Sequence, residues 1–495
     1  MSKTKFATGI ALTIVVVGTA LAAVALHGGS QADKAGAETA PVTLDLVGLA
    51  PYLETEPAVA FFAKRVGELS GGTLRVRPVP PGPGNDAGVL GDVAHGRTDL
   101  GWIATRAFDR LGVKSFQALT APLLIDSYPL ERAVIASDIP GTMLEGLDRV
   151  GVTGLAVLGD SLSKPIAVKR PLLAPDDWRG TTFGLFHSSG QAAAVRALGA
   201  TPREIGISRQ GLRTRSVQGY ETSLFFYGGS GFRGEADAPY VAANVNLWPL
   251  TVALFASPST FSRLTKTQRA WLRQAASEAA ARSTGMVEQE AKYVPAICAA
   301  GGRLANATPA DLRALEQALA PVYSRLEQDS QTKAFIARIE ELKRATPGGP
   351  ALPIPAGCTG RAPSLVPPRG TTTGQPIPDG SYRKTVTPRE LIGAGATPDD
   401  AAQNAGIHTI TIRGHLWTDE IAGVPDTEQC ANRIVYSGPR VWLTTDCNSS
   451  SSPLVLAGTW KLTGDSDRLY FLGLERNPDP SIALGFGGRP WKKIG

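Results

Sequence analysis

The sequence predicts an α/β protein with a mainly parallel sheet, followed by a small antiparallel β-barrel or sandwich. Three observations lead there. Between residues 41 and 346, apolar strand patterns alternate with segments of helical spacing. Residues 347–378, TPGGPALPIPAGCTGRAPSLVPPRGTTTGQPIP and its margins, are too rich in Pro, Gly and Thr to build a core and read as a semi-extended linker. From Asp379 onward, short alternating strands are separated by turn pairs such as Ser437-Gly438 and Gly464-Asp465.

The length of 495 residues suggests roughly three domains. With 43% hydrophobic and 19% charged residues the chain can bury sizeable cores. A net charge of +6 is modest over this length, and no Lys/Arg run carries interleaved aromatics, which argues against nucleic acid as a partner. Residues 1–30 place Lys3 and Lys5 before the apolar run Phe6 to Leu26, the pattern of a signal peptide or an N-terminal membrane anchor. The lysines would stay cytoplasmic and everything later would lie outside, tethered to the outer face of the cytoplasmic membrane or secreted. Ala35-Gly36-Ala37 offers a cleavage site, and no cysteine follows the run to take a lipid.

All four cysteines fall in the exported portion. Neighbours in sequence favour Cys298 with Cys358 and Cys430 with Cys447 as structural disulfides. Neither spacing suits zinc, and no metal or cofactor site is expected.

Within the α/β region, VTLDLVGLA from Val42 reads as a buried strand, followed by a helix with Val59, Phe62, Val66 and Leu69 on one face. Gly71-Gly72 ends that helix. TLRVRPVPP is a second strand, and GPGNDAGVLGDVAHGRTDLGWI gives loop, helix and third strand. Residues 260–346 are helical and rich in Ala, Leu, Glu, Arg and Gln, and would brace what precedes them.

The order of these pieces resembles the solute-binding proteins of tripartite ATP-independent periplasmic (TRAP) transporters. The quoted matches are Ser70-Gly71-Gly72 before the second strand, Gly96 and Asp99 before the third, then APLLIDSYPLERAVI, then DDWRGTTFGLFHSSGQAAAVRALGATP as the crossover into a second lobe, and SVQGYE with Val217, Gly219 and Glu221. YVAANVNLWPLTVALFASPSTFSRLTKTQRAWLRQ is similar to the family's returning strand and C-terminal helices. The resemblance covers residues 41–346. It implies a bilobal periplasmic-binding-protein-like domain of type II, a small-molecule ligand in the interlobe cleft, and membrane permease subunits as partners. PDGSYR and the terminal RPWKKIG likewise resemble a calycin-like module appended at 379–495.

Two positions depart from the family pattern. Where the resemblance implies an arginine that forks onto a substrate carboxylate, this sequence has Gly184, and Gln218 stands where Asp is usual. Arg179 reads as a loop surface charge, and Arg106 is the substitute from the other lobe. An organic acid held in the usual way is therefore not expected, which leaves room for a more neutral solute. Loops after the strands supply the candidate ligand-binding residues: Tyr52, Glu54, Trp102, Arg106, His187, Ser188, Tyr220, Glu221, Asn244 and Trp248, with Tyr227 and Asn246 beside them. His187 is read as a single hydrogen-bond donor where the family uses a bidentate fork.

No enzyme is expected. Gly159-Asp160-Ser161 and Gly229-Ser230-Gly231 lack the full nucleophile-elbow pattern, and His408 and His415 sit on expected barrel strands. GGSGFRG at 228–234 lacks the Lys-Ser/Thr of a phosphate loop. The alternative to an uptake receptor is a surface interaction or sensor protein, with a degenerate cleft and a β domain that binds envelope lipid, glycan or protein.

Overall fold

The computed structural model describes residues 41–48, 53, 56–79, 86–186, 188–204, 217–228, 238–299, 301–360, 374–393, 401–402, 404–422, 430–447, 454–465, 467–475 and 486–495. The first sheet has the order β2-β1-β3-β11-β4. Its strands are β1 (Val42–Gly48), β2 (Leu74–Val79), β3 (Leu100–Ala104), β4 (Thr153–Leu158) and β11 (Val252–Ala256). β1 pairs in parallel with β2 and β3, as helical crossovers require. β11, buried along its whole length, lies antiparallel between β3 and β4. The sheet is thus mixed, not mainly parallel: β11 arrives late from the other half of the chain and enters from the opposite direction.

The second sheet runs β12-β9-β5-β8-β6-β7, with β10 also on β5. Its members are β5 (Leu162–Ala167), β6 (Thr182–Leu185), β7 (Thr201–Glu204), β8 (Gly219–Thr222), β9 (Tyr240–Ala242), β10 (Trp248–Pro249) and β12 (Arg303–Ala305). β6 is parallel to β7 and β8, whereas β5 is antiparallel to β8 and β9. β12 interrupts the stretch expected to be wholly helical and pairs in parallel with β9.

The family-like turns have visible causes. Ser70 caps the Pro57–Leu69 helix, and its hydroxyl accepts from Leu74 N at 3.0 Å, which sets the helix-to-β2 corner. Gly96 has φ +72, and a Cβ there would meet Ser259 Oγ at 2.5 Å. Asp99 accepts from Asp45 N at 2.9 Å and Thr260 Oγ1 at 2.7 Å, pinning the middle of β1 to the Pro258–Arg263 helix.

The Lys266–Val287 helix begins with a Thr265/Gln268 capping box and lays Ala275, Ala276 and Ala279 against β4 and the Pro57–Leu69 helix. Small side chains let the backbones approach closely. The Pro309–Leu326 helix packs on the second lobe's Ser189–Ala197 helix, and the Ser330–Ala345 helix packs on Tyr128–Ala136 of the first lobe, so the C-terminal helices do brace both halves. Among the described residues no helix is long and apolar enough to cross a membrane. The Phe6 to Leu26 run lies outside the described residues.

The ends of the linker are tied down rather than free. Cys298 and Cys358 form a disulfide, and Leu352 and Ile354 pack against the second lobe's core. Ile377 is buried in the C-terminal domain.

That domain is a closed antiparallel barrel, β13 to β20 in sequence order: β13 (Gly380–Val386), β14 (Gly406–Arg413), β15 (Leu416–Ile421), β16 (Cys430–Ser437), β17 (Arg440–Cys447), β18 (Leu454–Leu462), β19 (Arg468–Glu475) and β20 (Trp491–Lys493). β20 closes onto β13, pairing Tyr382 with Lys493. Tyr382, Ile410, Ile412, Trp417, Leu443 and Trp491 fill its interior. The short Pro388–Gly393 helix follows the first barrel strand. His408 is on β14 as expected, but His415 sits in the turn between β14 and β15 beside Gly414, which has φ +59. The β16–β17 register places Cys430 opposite Cys447.

Candidate functional site at the interlobe cleft

Two short crossings join the lobes: Gly159-Asp160-Ser161 between β4 and β5, and Leu250-Thr251 between β10 and β11. They are bonded to each other, Leu250 N donating to Ser161 O at 3.0 Å. The Lys266–Val287 helix backs the first crossing so tightly that a Cβ on Gly159 would lie 2.2 Å from Thr284 Oγ1. Gly159 N donates to Ser283 Oγ at 2.8 Å, and Asp160 N donates to Glu131 Oε1 at 3.0 Å. Glu131 is fully buried, and burial pushes its carboxyl well above the usual carboxylate range.

The first lobe presents Arg106, Glu56 and Asp160 at the ends of its strands. Glu56 caps the Pro57–Leu69 helix, while Arg106 belongs to the 3-10 turn Thr105–Arg110 after β3. Burial and then the charge of Asp160 push Glu56 up to about 8. Burial also raises Asp160, to about 6, against the pull of Arg106. The two carboxyls titrate as a pair. Trp102, on β3, is 9% exposed and packed in the core beneath this rim.

The second lobe answers with Phe186, at the end of β6, whose ring centre lies 4.5 Å from the Arg106 guanidinium carbon. Glu221, on β8, is fully buried. Its oxygens accept from Ser163 Oγ at 2.9 Å, Phe186 N at 3.4 Å and the Trp248 indole N–H. The Gln191 amide, oriented to donate to Glu221 at 3.2 Å, also accepts from that indole at 2.8 Å. Glu221 and Trp248 thus hold the wall of the cleft from behind. Tyr220 is 4% exposed in the second lobe's core. Asn244 bonds both N and O of Ala307, at 2.7 and 2.8 Å, and so fastens β9 to the helix start beyond β12. Asn246 donates to Asp126 O at 2.6 Å, and Tyr227 to Ala238 O at 3.0 Å.

The departures from the family pattern also find places. Gly184 lies buried in β6, opposite Arg203 of β7 and Tyr220 of β8. Gln218 accepts from Thr182 N with its side chain and so binds the start of β8 to β6. Arg179 is exposed and paired with Asp176 at 2.9 Å.

Of the sequence candidates, Arg106 reaches the interlobe face, whereas Ser188 is fully buried as the cap of the Ser189–Ala197 helix and donates to Asp109. Glu221 and Trp248 support that face from inside and Trp102 lies in the first lobe's core, whereas Tyr220 points from the other side of β8 into the second lobe's core and Asn244 is spent on Ala307. Tyr52, Glu54 and His187 lie outside the described residues. Sequence reasoning missed Glu56, Asp160, Phe186 and Asp109. Asp160 sat in a Gly-x-Ser piece tested only as a nucleophile elbow, and Asp109 stands three residues after Arg106, a spacing that puts both on one side of a helical turn. Among the described residues no cluster of His, Cys, Asp or Glu could hold a metal ion.

A family model, bacterial extracellular solute-binding protein, family 7 (DctP), matches residues 52–329. The C4-dicarboxylate-binding periplasmic protein DctP of Rhodobacter capsulatus is 32% identical over 116 residues, 23% of this chain and 34% of its own length. The chain therefore spans about a third of that curated relative. A TRAP periplasmic solute binding protein from Bradyrhizobium sp. BTAi1, in complex with alpha/beta-D-galacturonate, aligns with a TM-score of 0.55 at 23% identity, over 60% of this chain and 99% of its own. One from Sulfurospirillum deleyianum with bound succinate gives 0.54 at 21%, over 61% and 99%. A third, from Chromohalobacter salexigens with bound D-glucuronate, gives 0.55 at 17%, over 60% and 99%. At these identities the likeness is one of fold. With the family model covering more than half of its length, the chain belongs to the bacterial extracellular solute-binding proteins, family 7.

Proposed function

We propose that the chain is the extracytoplasmic receptor of a TRAP-type uptake system, capturing a small solute between its lobes, handing it to membrane permease subunits and performing no covalent chemistry. Residues 1–30 direct export and, if retained, tether the receptor to the outer face of the cytoplasmic membrane.

The observation that carries this reading is the state of Arg106. Its guanidinium is stacked on Phe186, yet Nη1 is closed off from solvent with no hydrogen-bond partner among the described residues. A buried guanidinium N–H is costly unless an acceptor meets it. A solute oxygen between the lobes supplies one. The solved relatives carry carboxylate ligands. Here Gly184 brings no cation from the second lobe, so among the described residues Arg106 supplies positive charge beside Asp160, with the neighbouring Glu56 held largely protonated at neutral pH by burial and the charge of Asp160. That balance favours a hydroxyl-rich solute with one carboxylate, or a neutral one, over a dicarboxylate. Tyr52, Glu54 and His187 complete the proposed binding surface.

Thermal-shift screening of the purified protein with galacturonate, glucuronate, succinate and uncharged hexoses tests this. Stabilisation by a hydroxylated solute, abolished by Arg106→Ala, is expected. No response to any solute, or a response that Arg106→Ala leaves intact, would sink the proposal.

A further inference from the structure

The 3-10 turn that carries Arg106 also reaches across the cleft through two further side chains. Asp109 Oδ2 accepts from Ser188 Oγ at 2.9 Å, Ser189 Oγ at 3.0 Å and Gly190 N at 3.0 Å. These donors are the N-cap and first turn of the nine-residue Ser189–Ala197 helix, where unpaired N–H groups and the positive end of the helix dipole favour a carboxylate. Ser188 is fully buried, and its hydroxyl also accepts from Gln191 N at 3.2 Å, so the cap is held in a fixed orientation. Arg110, the next residue, pairs with Glu204 at the end of β7. One short turn of the first lobe thus grips three elements of the second: β6 through Phe186, β7 through Glu204, and the helix between them.

We propose that Asp109 is an interlobe latch, a carboxylate of the chain itself that holds the cleft closed before any solute arrives. A ligand closes a two-state receptor only by its differential affinity for the closed form, and its apparent affinity falls with the fraction of molecules that are open. Asp109 supplies part of that bias from within the chain. The latch is not sealed from solvent. A cavity of about 320 Å³, lined by Lys114, Gln117, Ser189, Gly190 and Arg325 among others, opens against the same helix start. Water and ions reach that flank, and added salt weakens the charged contact.

The test needs no ligand, so its outcome is separable from the receptor reading. Spin labels at Lys64→Cys, exposed in the first lobe, and Lys169→Cys, exposed beyond β5, report the lobe separation by pulsed dipolar spectroscopy of the full chain. The ligand-free protein should show one short distance matching the structure. Asp109→Ala should shift the closed-to-open ratio roughly tenfold toward a longer distance, as loss of charge-assisted bonds implies. Asp109→Asn, which keeps the shape and one acceptor, should fall between them and guards against misfolding, which circular dichroism checks. A ligand-free distance already long, or one unchanged in both variants, would overturn the latch.

Discussion

Lys164 and Glu290 form an ion pair of 3.0 Å in which the lysine is 1% and the glutamate 12% exposed. Lys164 also donates to Asn246 Oδ1, and the Tyr128 hydroxyl donates to Glu290 Oε1 at 3.3 Å while accepting from Leu162 N. The pair therefore binds β5, the first lobe's Tyr128 and the Glu290–Ala299 helix into one polar knot beside the hinge. Removing one partner leaves a buried charge uncompensated. Glu290→Ala should cost about 3–5 kcal/mol in urea unfolding, and Lys164→Met combined with Glu290→Leu should cost less than Glu290→Ala alone.

The Cys298–Cys358 bridge closes a loop with a sequence separation of 60. Its loss releases loop-closure entropy in the unfolded chain worth about 4 kcal/mol on the polymer estimate. Cys298→Ala with Cys358→Ala should lower the thermal midpoint of the bilobal part and leave the barrel transition in place, as calorimetry will show. A matching bridge between Cys430 and Cys447 would appear in peptide mapping of unreduced protein, since their backbones face each other across β16 and β17.

Glu56 and Asp160 give the cleft a pH dependence of defined sign. Their folded-state values, about 8 and about 6, lie above the ordinary 4.5 and 3.8. Protonation then favours the folded form, so their contribution is complete below about pH 4. It declines as pH rises through 4.5 to 8 for Glu56 and 3.8 to 6 for Asp160. Glu56→Gln should flatten the stability profile over that interval.

Gly159→Ala places a methyl group against Thr284 Oγ1 and the Glu131 carboxyl. Overpacking of this kind costs about 1–3 kcal/mol. Adding Thr284→Ala should recover part of the loss. A double variant no more stable than Gly159→Ala alone would place the cost elsewhere.

Much of the fold was legible because its signals are local. Helical spacing at Val59, Phe62 and Val66 marked a helix that buries all three, and Ser70-Gly71-Gly72 marked its end. Ser437-Gly438 and Gly464-Asp465 marked barrel turns that the structure contains. Strand direction was less legible. β11 reads as an apolar run whatever way it points, and its antiparallel seat between β3 and β4 depends on a chain return of about a hundred residues after β4.

Sequence by itself determined the division into an α/β part, a Pro/Gly-rich joint and a β domain, because composition and period change at those boundaries, while the two lobes of the α/β part were implied by the family resemblance. The family resemblance marked Gly184 as standing where an arginine is expected and left Arg106 and His187 as candidates in its place. Only the tertiary structure decided which polar residues face the cleft and which are spent inside the protein. Glu221, Trp248 and Asn244 have the chemistry of ligand contacts, but their partners Ser163, Gln191 and Ala307 come from other strands and loops, and no sequence spacing announces them. Asp109 is the converse case. An ordinary surface-type residue in sequence, it acquires three donors because folding brings the start of the Ser189–Ala197 helix to it.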